Sequence, residues 1–427
     1  MQVDNPTRTK SVSNRGTNRI MLALVIGIAA GLVCNRWAPS PEAAKNLASY
    51  FTIITDIFLR MIKMVISPLV FATIVSGIAE LGSSGGAVGR ITFRAMSWFV
   101  TASLISLSLG LVFANLITPG TGLGLPLPSL TETVNLQANA VNLKDFVTHV
   151  FPSSIVQAMA TNEVLQIVVF SIFLGAALSA LGTTSAKTVT TVVREFVPVM
   201  LKVTDFVMRF APLGVFAAIA AVVTVQGIGI LMTYSKFIGT FYLASAVLWM
   251  LLIAAGLMFL GRSTLYLVKL LREPMVIAFS TASSEAAFPR MLEQLLKFGV
   301  KERVSAFVLP LAYSFNLDGS MVYQAVATLF VAQAYGIEMS IGKQILLLLL
   351  MMITSKGIAG VPRASLVVVA ATLPLFDLPA SGLLLILGID QFLDMGRAMT
   401  NVIGNGIATA VVAKWEGELD PLGARGI

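Results

Sequence analysis

Five polar residues on one face of an otherwise apolar helix constrain this chain more than any other feature. Asp390, Asp394, Arg397, Asn401 and Asn405 fall at i, i+4, i+7, i+11 and i+15. At 3.6 residues per turn these positions form a single stripe. The surrounding residues are apolar, as a membrane span requires. An ionised group at the centre of a bilayer costs roughly 2.5–3.5 kcal/mol, so such groups line a pathway or a binding site. Three charges and two amides on one face describe a place that holds something charged.

The rest of the chain supports a membrane setting. Of 427 residues, 56% are hydrophobic and 12% charged, with a mean hydropathy of +0.87. A soluble domain carries about 25% charged residues. The spacing predicts an all-α polytopic membrane protein, with the clearest spans at Ile20–Cys34 and its flanks, Phe99–Ile117, Phe237–Gly261 and Ser381–Val412. Thr52–Glu80 is amphipathic at first, through Asp56, Arg60 and Lys63, and Pro68 allows a kink. A third helix is predicted from about Ser97 to Ile117, a polar loop over 119–154, and a helix over Asn162–Leu181. Val189–Val225 reads as a helix interrupted at Pro198 and Pro212.

Several function classes are excluded or disfavoured. The net charge of +8 is scattered over helix ends, with no basic tract interleaved with aromatics, so no nucleic-acid partner is expected. Cys34 and His149 are the only residues of their kinds, which rules out an intramolecular disulfide and argues against a Cys/His metal site. There is no GxxxxGK[ST] and no HExxH. Gly82-Ser-Ser-Gly-Gly86 matches GxSxG formally, but no strand precedes it and it reads as a glycine-rich connector. No enzymatic activity, cofactor or certain metal site is expected. The N-terminal tail carries Arg8, Lys10, Arg15 and Arg19 against Asp4, which places it in the cytosol, with the stretch from Ile20 as a retained first helix.

From Leu271 onward, short apolar arms flank small polar clusters. Phe279–Arg290 and Met352–Arg363, aligned with each other, match at Thr281 and Thr354, Ala286 and Ala359, Pro289 and Pro362, and Arg290 and Arg363. Ser314-Phe-Asn-Leu-Asp-Gly-Ser320 follows the first cluster and the polar stripe follows the second. Internal repeats with discontinuous helices point to the site of a secondary transporter. Irregular backbone at membrane depth is tolerated only where it is buried or lines a cavity.

On these residues the chain resembles the dicarboxylate/amino acid:cation symporter family, which includes the glutamate transporters. The carriers are Ser280-Thr-Ala-Ser-Ser-Glu285, Asn316-Leu-Asp-Gly-Ser320, Ser355-Lys-Gly-Ile-Ala-Gly-Val-Pro362 and the stripe itself. The resemblance runs from the first helix to Lys414-Trp415-Glu416. It implies eight transmembrane helices plus two re-entrant helical hairpins with inverted internal repeats, a homotrimer in the bacterial inner membrane with both termini cytoplasmic, and an elevator motion. The corresponding division is a basic tail at 1–19, mainly scaffold at 20–236 (with the helix over 97–117 in the transport core), a transport core at 237–418 and a tail at 419–427. The core would hold a hairpin at 271–297, a broken helix at 304–335, a second hairpin at 341–376 and a helix at 381–412.

The resemblance also implies residue roles. Arg397 would pair with the substrate's side-chain carboxylate, a task suited to a guanidinium fork. Asp394 would take the ammonium, and Asn401 with the backbone of Ser283 and Ser284 the α-carboxylate. Ser320 would add a hydroxyl, and the tip containing Gly360 and Val361 would close over the substrate. Cation coupling would fall to Glu285, Ser314, Asn316, Asp318, Ser355, Ile358, Asp390 and Asn405. An intrahelical Asp394–Arg397 pair that only neutralises itself is the plainer alternative, and Asp390 is equally well read as orienting Arg397.

The chain departs from the sodium-coupled pattern. Asn405 stands where those members carry an acid, and Phe99 and Ala102 stand where they present hydroxyls. Glu285 replaces a serine, and a carboxyl in a low-dielectric site can take up a proton near neutral pH; a carboxylate at a helix N-terminus is the compatible alternative. Protons are therefore the expected coupling ion, with sodium beside them or in their place. Lys356 either pairs with Glu285 or reaches an aqueous vestibule. Ala398 resembles the C4-dicarboxylate carriers, whereas Asp394 would repel a second carboxylate and attract an ammonium. Acidic amino acids are thus expected, with C4-dicarboxylates as the alternative. A channel, a receptor and a membrane enzyme are the competing classes.

Overall fold

A computed structural model describes residues 12–81, 85–122, 148, 150–227, 234–355, 363–387 and 389–420. The described chain is helical throughout, and its only β pairing is an isolated bridge between Val300 and Leu419. Among the described residues, Pro41–Ser76, Gly89–Ile117, Val164–Leu181 and Ser235–Leu260 are long and apolar enough to cross a membrane. Lys187–Met208 and Ala211–Gln226, bent by 49°, together make a fifth candidate. Lengths and composition of this kind belong to a polytopic membrane protein.

Local chemistry explains where helices start and stop. Pro41 opens the second helix, Pro41–Leu81, behind the Ser40 hydroxyl, which accepts the Ala43 N–H at 3.2 Å. Pro68 lies inside that helix without ending it. The third helix is Gly85–Ile117, not Ser97–Ile117. Its extra turns carry Arg90 and Arg94, each 2.8 Å from Glu416 at the end of the last helix. The helix expected over Asn162–Leu181 is present as Val164–Ser185, and a short helix that was not expected, Ile155–Thr161, precedes it. Asn162 between them has left-handed backbone, and its side chain accepts the Ser67 hydroxyl at 2.5 Å, which fixes the break against the second helix. Of the two prolines expected to interrupt 189–225, only Pro212 marks a break; Pro198 is accommodated inside Lys187–Met208.

The described part of the C-terminal half contains one helix–turn–helix unit, a second pair of short helices, and two interrupted helices. The unit is Ser263–Thr281 followed by Phe288–Phe298, so its first arm begins earlier than Leu271. The turn holds Ala282 in left-handed backbone and a short 3-10 segment, Glu285–Ala287. The second pair is Ile341–Thr354 and Ala364–Thr372. The tip between them, with Lys356, Ile358, Gly360 and Val361, lies outside the described residues. Glu302–Phe315 and Asp318–Ala334 are separated by Asn316 and Leu317. The continuous helix expected over 381–412 is instead Leu383–Leu387 and then Asp390–Trp415.

Glycines let the polar helices meet backbone to backbone. A Cβ on Gly319 would collide with the Arg397 carbonyl and with Thr400, and one on Gly404 would collide with the Asp318 carboxylate. Close approach of this kind is how membrane helices gain packing contacts without a hydrophobic driving force. The Ser235–Leu260 helix clasps the other side of the last helix. Tyr242 donates to the Phe392 carbonyl at 2.7 Å and the Trp249 indole N–H to Thr400 Oγ1 at 2.8 Å.

Gly319→Ala is expected to force the Asp318–Ala334 helix away from the last helix and lower stability by about 1–3 kcal/mol, the usual cost of overpacking. Gly342→Ala, with nothing within 4 Å of the added carbon, is the control and should change little. Thermal unfolding of the two purified variants checks this. Equal midpoints would show that the crossing is not close-packed.

Candidate functional site

The five stripe residues are all fully buried, and Arg397 heads the largest fully buried side chains of the molecule. A buried guanidinium needs a counter-charge and partners for its remaining donors. Arg397 Nε pairs with Asp394 Oδ1, one turn back on the same helix. Its Nη1 donates to Ser320 Oγ at 3.3 Å and its Nη2 to the Ala282 carbonyl at 3.1 Å. One side chain thus joins the last helix, the broken helix and the first helix–turn–helix tip. Left-handed Ala282 is the C-cap of its helix, which turns its carbonyl away from the helical ladder and leaves it for Arg397.

Asn401 closes the floor of the site. Its Oδ1 accepts the Gly319 N–H at 2.8 Å, and its Nδ2 lies 3.4 Å from Ser320 Oγ. The first N–H groups of a helix have no intrahelical acceptor, so Asn401 satisfies one at the start of Asp318–Ala334. Deeper in, Asn316 leaves the helical region at φ −118 and ψ 58. Its Nδ2 donates to Asp318 Oδ2 at 3.0 Å and to Asn405 Oδ1 at 3.1 Å. Asn316 Oδ1 and Asn405 Nδ2 are buried without a hydrogen-bond partner. Phe99 is fully buried on the third helix and Ala102 nearly so. A turn beyond Ala102, the Ser106 hydroxyl lies 2.7 Å from the Ala102 carbonyl and 3.4 Å from Asp318 Oδ1.

At the other end of the stripe, Asp390 Oδ1 accepts the Tyr323 hydroxyl at 2.5 Å, and Oδ2 lies 3.5 Å from Arg363 Nε. The Arg363 backbone N–H donates to Asp394 Oδ2 at 2.6 Å. Both oxygens of Asp394 are therefore engaged, one by each arginine. The Asp394–Arg397 pair does neutralise itself along the helix, but it is also tied to three other segments, which a purely local ion pair does not need.

The remaining expected residues fall around this centre. Ser283 and Ser284 are buried in the first tip, where the Ser283 N–H donates to the Ala278 carbonyl at 3.2 Å and closes its own helix end. Glu285 is buried as the first residue of the 3-10 turn, within electrostatic range of Tyr313. Ser314 is buried near the end of its helix. Ser355 Oγ donates to the Met351 carbonyl at 2.5 Å and sits 3.3 Å from Met321 Sδ. Gly360, Val361 and Ile358 fall outside the described residues. Sequence reasoning missed Tyr323, Arg363, Ser106 and the Ala282 carbonyl. Tyr323 was readable as the next position after Ser320 on one helical face, and Ser106 as the continuation of Phe99, Ala102 and Ser103 at helical spacing. A carbonyl leaves no sequence signal.

Residues 17–415 match the family described as the sodium:dicarboxylate symporter family, and the chain belongs to it. Among its relatives, a C4-dicarboxylate transport protein of Rhodospirillum rubrum is 37% identical over 406 residues, covering 94% of this chain and 89% of that protein. The proton/glutamate-aspartate symporter of Escherichia coli K12 is 38% identical over 414 residues, covering 94% and 93%. The proton/sodium-glutamate symport protein of Bacillus caldotenax is 37% identical over 407 residues, covering 94% of each.

Proposed function

We propose that this protein is a secondary active symporter that imports glutamate or aspartate together with protons, by elevator-type alternating access. The observation that carries the reading is the buried Asp394–Arg397 pair with Ser320 and Asn401 beside it. Arg397 offers a guanidinium to a carboxylate. Asp394 has lone pairs for an ammonium, in the place that the Arg363 N–H takes here. Asn401 and the first tip serve the α-carboxylate. An α-amino dicarboxylic acid presents these three groups. The relatives named as glutamate symporters support the same reading.

A C4-dicarboxylate is the second reading. It is supported by the relatives named as C4-dicarboxylate transport proteins and by Ala398, which is fully buried and brings no hydroxyl to the site. For the coupling ion, the amide at Asn405 and the apolar Phe99 and Ala102 support protons over a fully sodium-coupled scheme. The unpartnered Asn316 Oδ1 beside Asp318 is an oxygen that sodium could use as well. No resident cofactor is part of this scheme. Eight spans, two re-entrant hairpins, a scaffold mainly at 20–236, a transport core at 237–418, a homotrimer and cytoplasmic termini in the bacterial inner membrane complete it. Uptake into proteoliposomes with proton and sodium gradients imposed separately, and labelled aspartate and succinate in competition, tests the whole reading. Saturable accumulation driven by a gradient supports a symporter, and dissipative flux alone would leave a channel.

Asp394→Ser is expected to shift preference from aspartate towards succinate, because it removes an attraction for an ammonium and a repulsion for a second carboxylate. The ratio of the two inhibition constants reads this directly. An unmoved ratio means that the protein is a dicarboxylate carrier already, or that Asp394 faces Arg397 alone.

Glu285→Gln keeps shape and hydrogen bonding but cannot titrate. If Glu285 carries the proton, the variant should still exchange substrate across a membrane without a gradient, yet fail to concentrate it under a proton gradient. Accumulation as steep as in the wild type would move the proton elsewhere, to Asp318 or Asp390.

A further inference from the structure

One charged side chain at the edge of the site takes no part in the Asp394–Arg397 network. Arg363 is the first residue after the second tip, and its backbone is left-handed at φ 64 and ψ 4. Side chains other than Asn and Asp seldom adopt that conformation, whereas glycine adopts it freely. The backbone therefore gives no reason for an arginine here, and the reason must lie in the side chain.

That side chain is loosely held. Its Nε is 3.5 Å from Asp390 Oδ2, an oxygen that accepts no hydrogen bond, and it remains 57% exposed while Asp390 is fully buried. Arg290, its counterpart in the internal match, behaves differently. Arg290 pairs with Glu273 at 2.9 Å and with Glu293, and is only 13% exposed. Arg290 is a clamp within its own hairpin, whereas Arg363 stands at the edge of the polar stripe. The Arg363 backbone is itself anchored to the site, because its N–H donates to Asp394 Oδ2 at 2.6 Å. The two arginines thus flank Asp394, Arg397 from within the last helix and Arg363 from the second hairpin.

We propose that Arg363 is a second carboxylate-binding arginine of the substrate site, transferred from Asp390 to a substrate carboxylate on binding. This rests on the substrate site proposed above and deepens it, since it makes two carboxylates the feature the protein reads. A weak ion pair without a hydrogen bond is readily exchanged for a bidentate one, and guanidinium geometry favours that exchange. Tyr323 stays on Asp390 throughout, so the released carboxylate keeps a donor.

The test is equilibrium binding of aspartate and of succinate to the purified full-length protein. Arg363→Gly retains the left-handed turn and Arg363→Gln retains polar bulk, so a folding fault in one does not mimic the expected result in both. Each variant should bind both acids at least about tenfold more weakly than the wild type. Asp390→Asn releases Arg363 and should tighten binding, and that gain should vanish in the Arg363→Gly background. Affinities within about twofold of wild type in both Arg363 variants would overturn the proposal. So would an Asp390→Asn effect of equal size with and without Arg363, which would leave Arg363 as a neutraliser of Asp390 only. A wild-type protein that binds neither acid would remove the substrate reading itself, and this inference with it.

Discussion

The Arg397 guanidinium is fully buried, and the polar half of the molecule is arranged around that fact. A buried charge that loses its counter-ion is destabilising by about 3–5 kcal/mol, so Asp394 must stay beside it. The donors left over must also find acceptors. Ser320 and the Ala282 carbonyl supply them, which brings the start of one helix and the capped end of another to the same place. The breaks in those helices are thus not incidental. A continuous helix would have kept the Ala282 carbonyl in its own ladder and the Gly319 N–H away from Asn401.

The same constraint reaches outward through small residues. Gly319 and Gly404 let the Asp318–Ala334 helix lie directly on the last helix, and only at that distance does Asn316 span Asp318 and Asn405. Tyr242 and Trp249 hold the opposite face, at Phe392 and Thr400. Each of these contacts sits within a turn of a stripe residue. The site is therefore a packed core with polar contents, and on the proposed reading a substrate competes there with protein groups already in place. The Arg363 N–H on Asp394 is the clearest case of such a group.

Much of this was legible in the sequence. The stripe from Asp390 to Asn405 announced itself by helical spacing in an apolar background, and the Asn-Leu-Asp-Gly run marked the break at Asn316 and Leu317 that the structure contains. What could not be read falls into three physical kinds. Helix starts were lost where charge hides continuity: Arg90 and Arg94 precede the start expected at Ser97, yet they belong to turns that extend the third helix onto Glu416. A short helix ended by a distant partner was also lost: Ile155–Thr161 stops at Asn162, which is fixed by Ser67 far away in sequence. Backbone partners such as the Ala282 carbonyl and the Gly319 N–H belong to every residue alike, so only the fold selects them. Proline misled in the opposite direction, since Pro198 sits inside a helix that it was expected to interrupt.

On the proposed reading, Arg397 is buried in order to receive a carboxylate. The most direct measurement is calorimetric binding of aspartate to the purified wild-type protein and to Arg397→Cys, with thermal unfolding recorded on both to establish that the variant is folded. The account predicts that the variant loses aspartate affinity by a factor of roughly a hundred or more, because removing one partner of a buried charge pair formed with the ligand costs about 2–5 kcal/mol of binding. Undiminished aspartate affinity in a folded Arg397→Cys protein would contradict it.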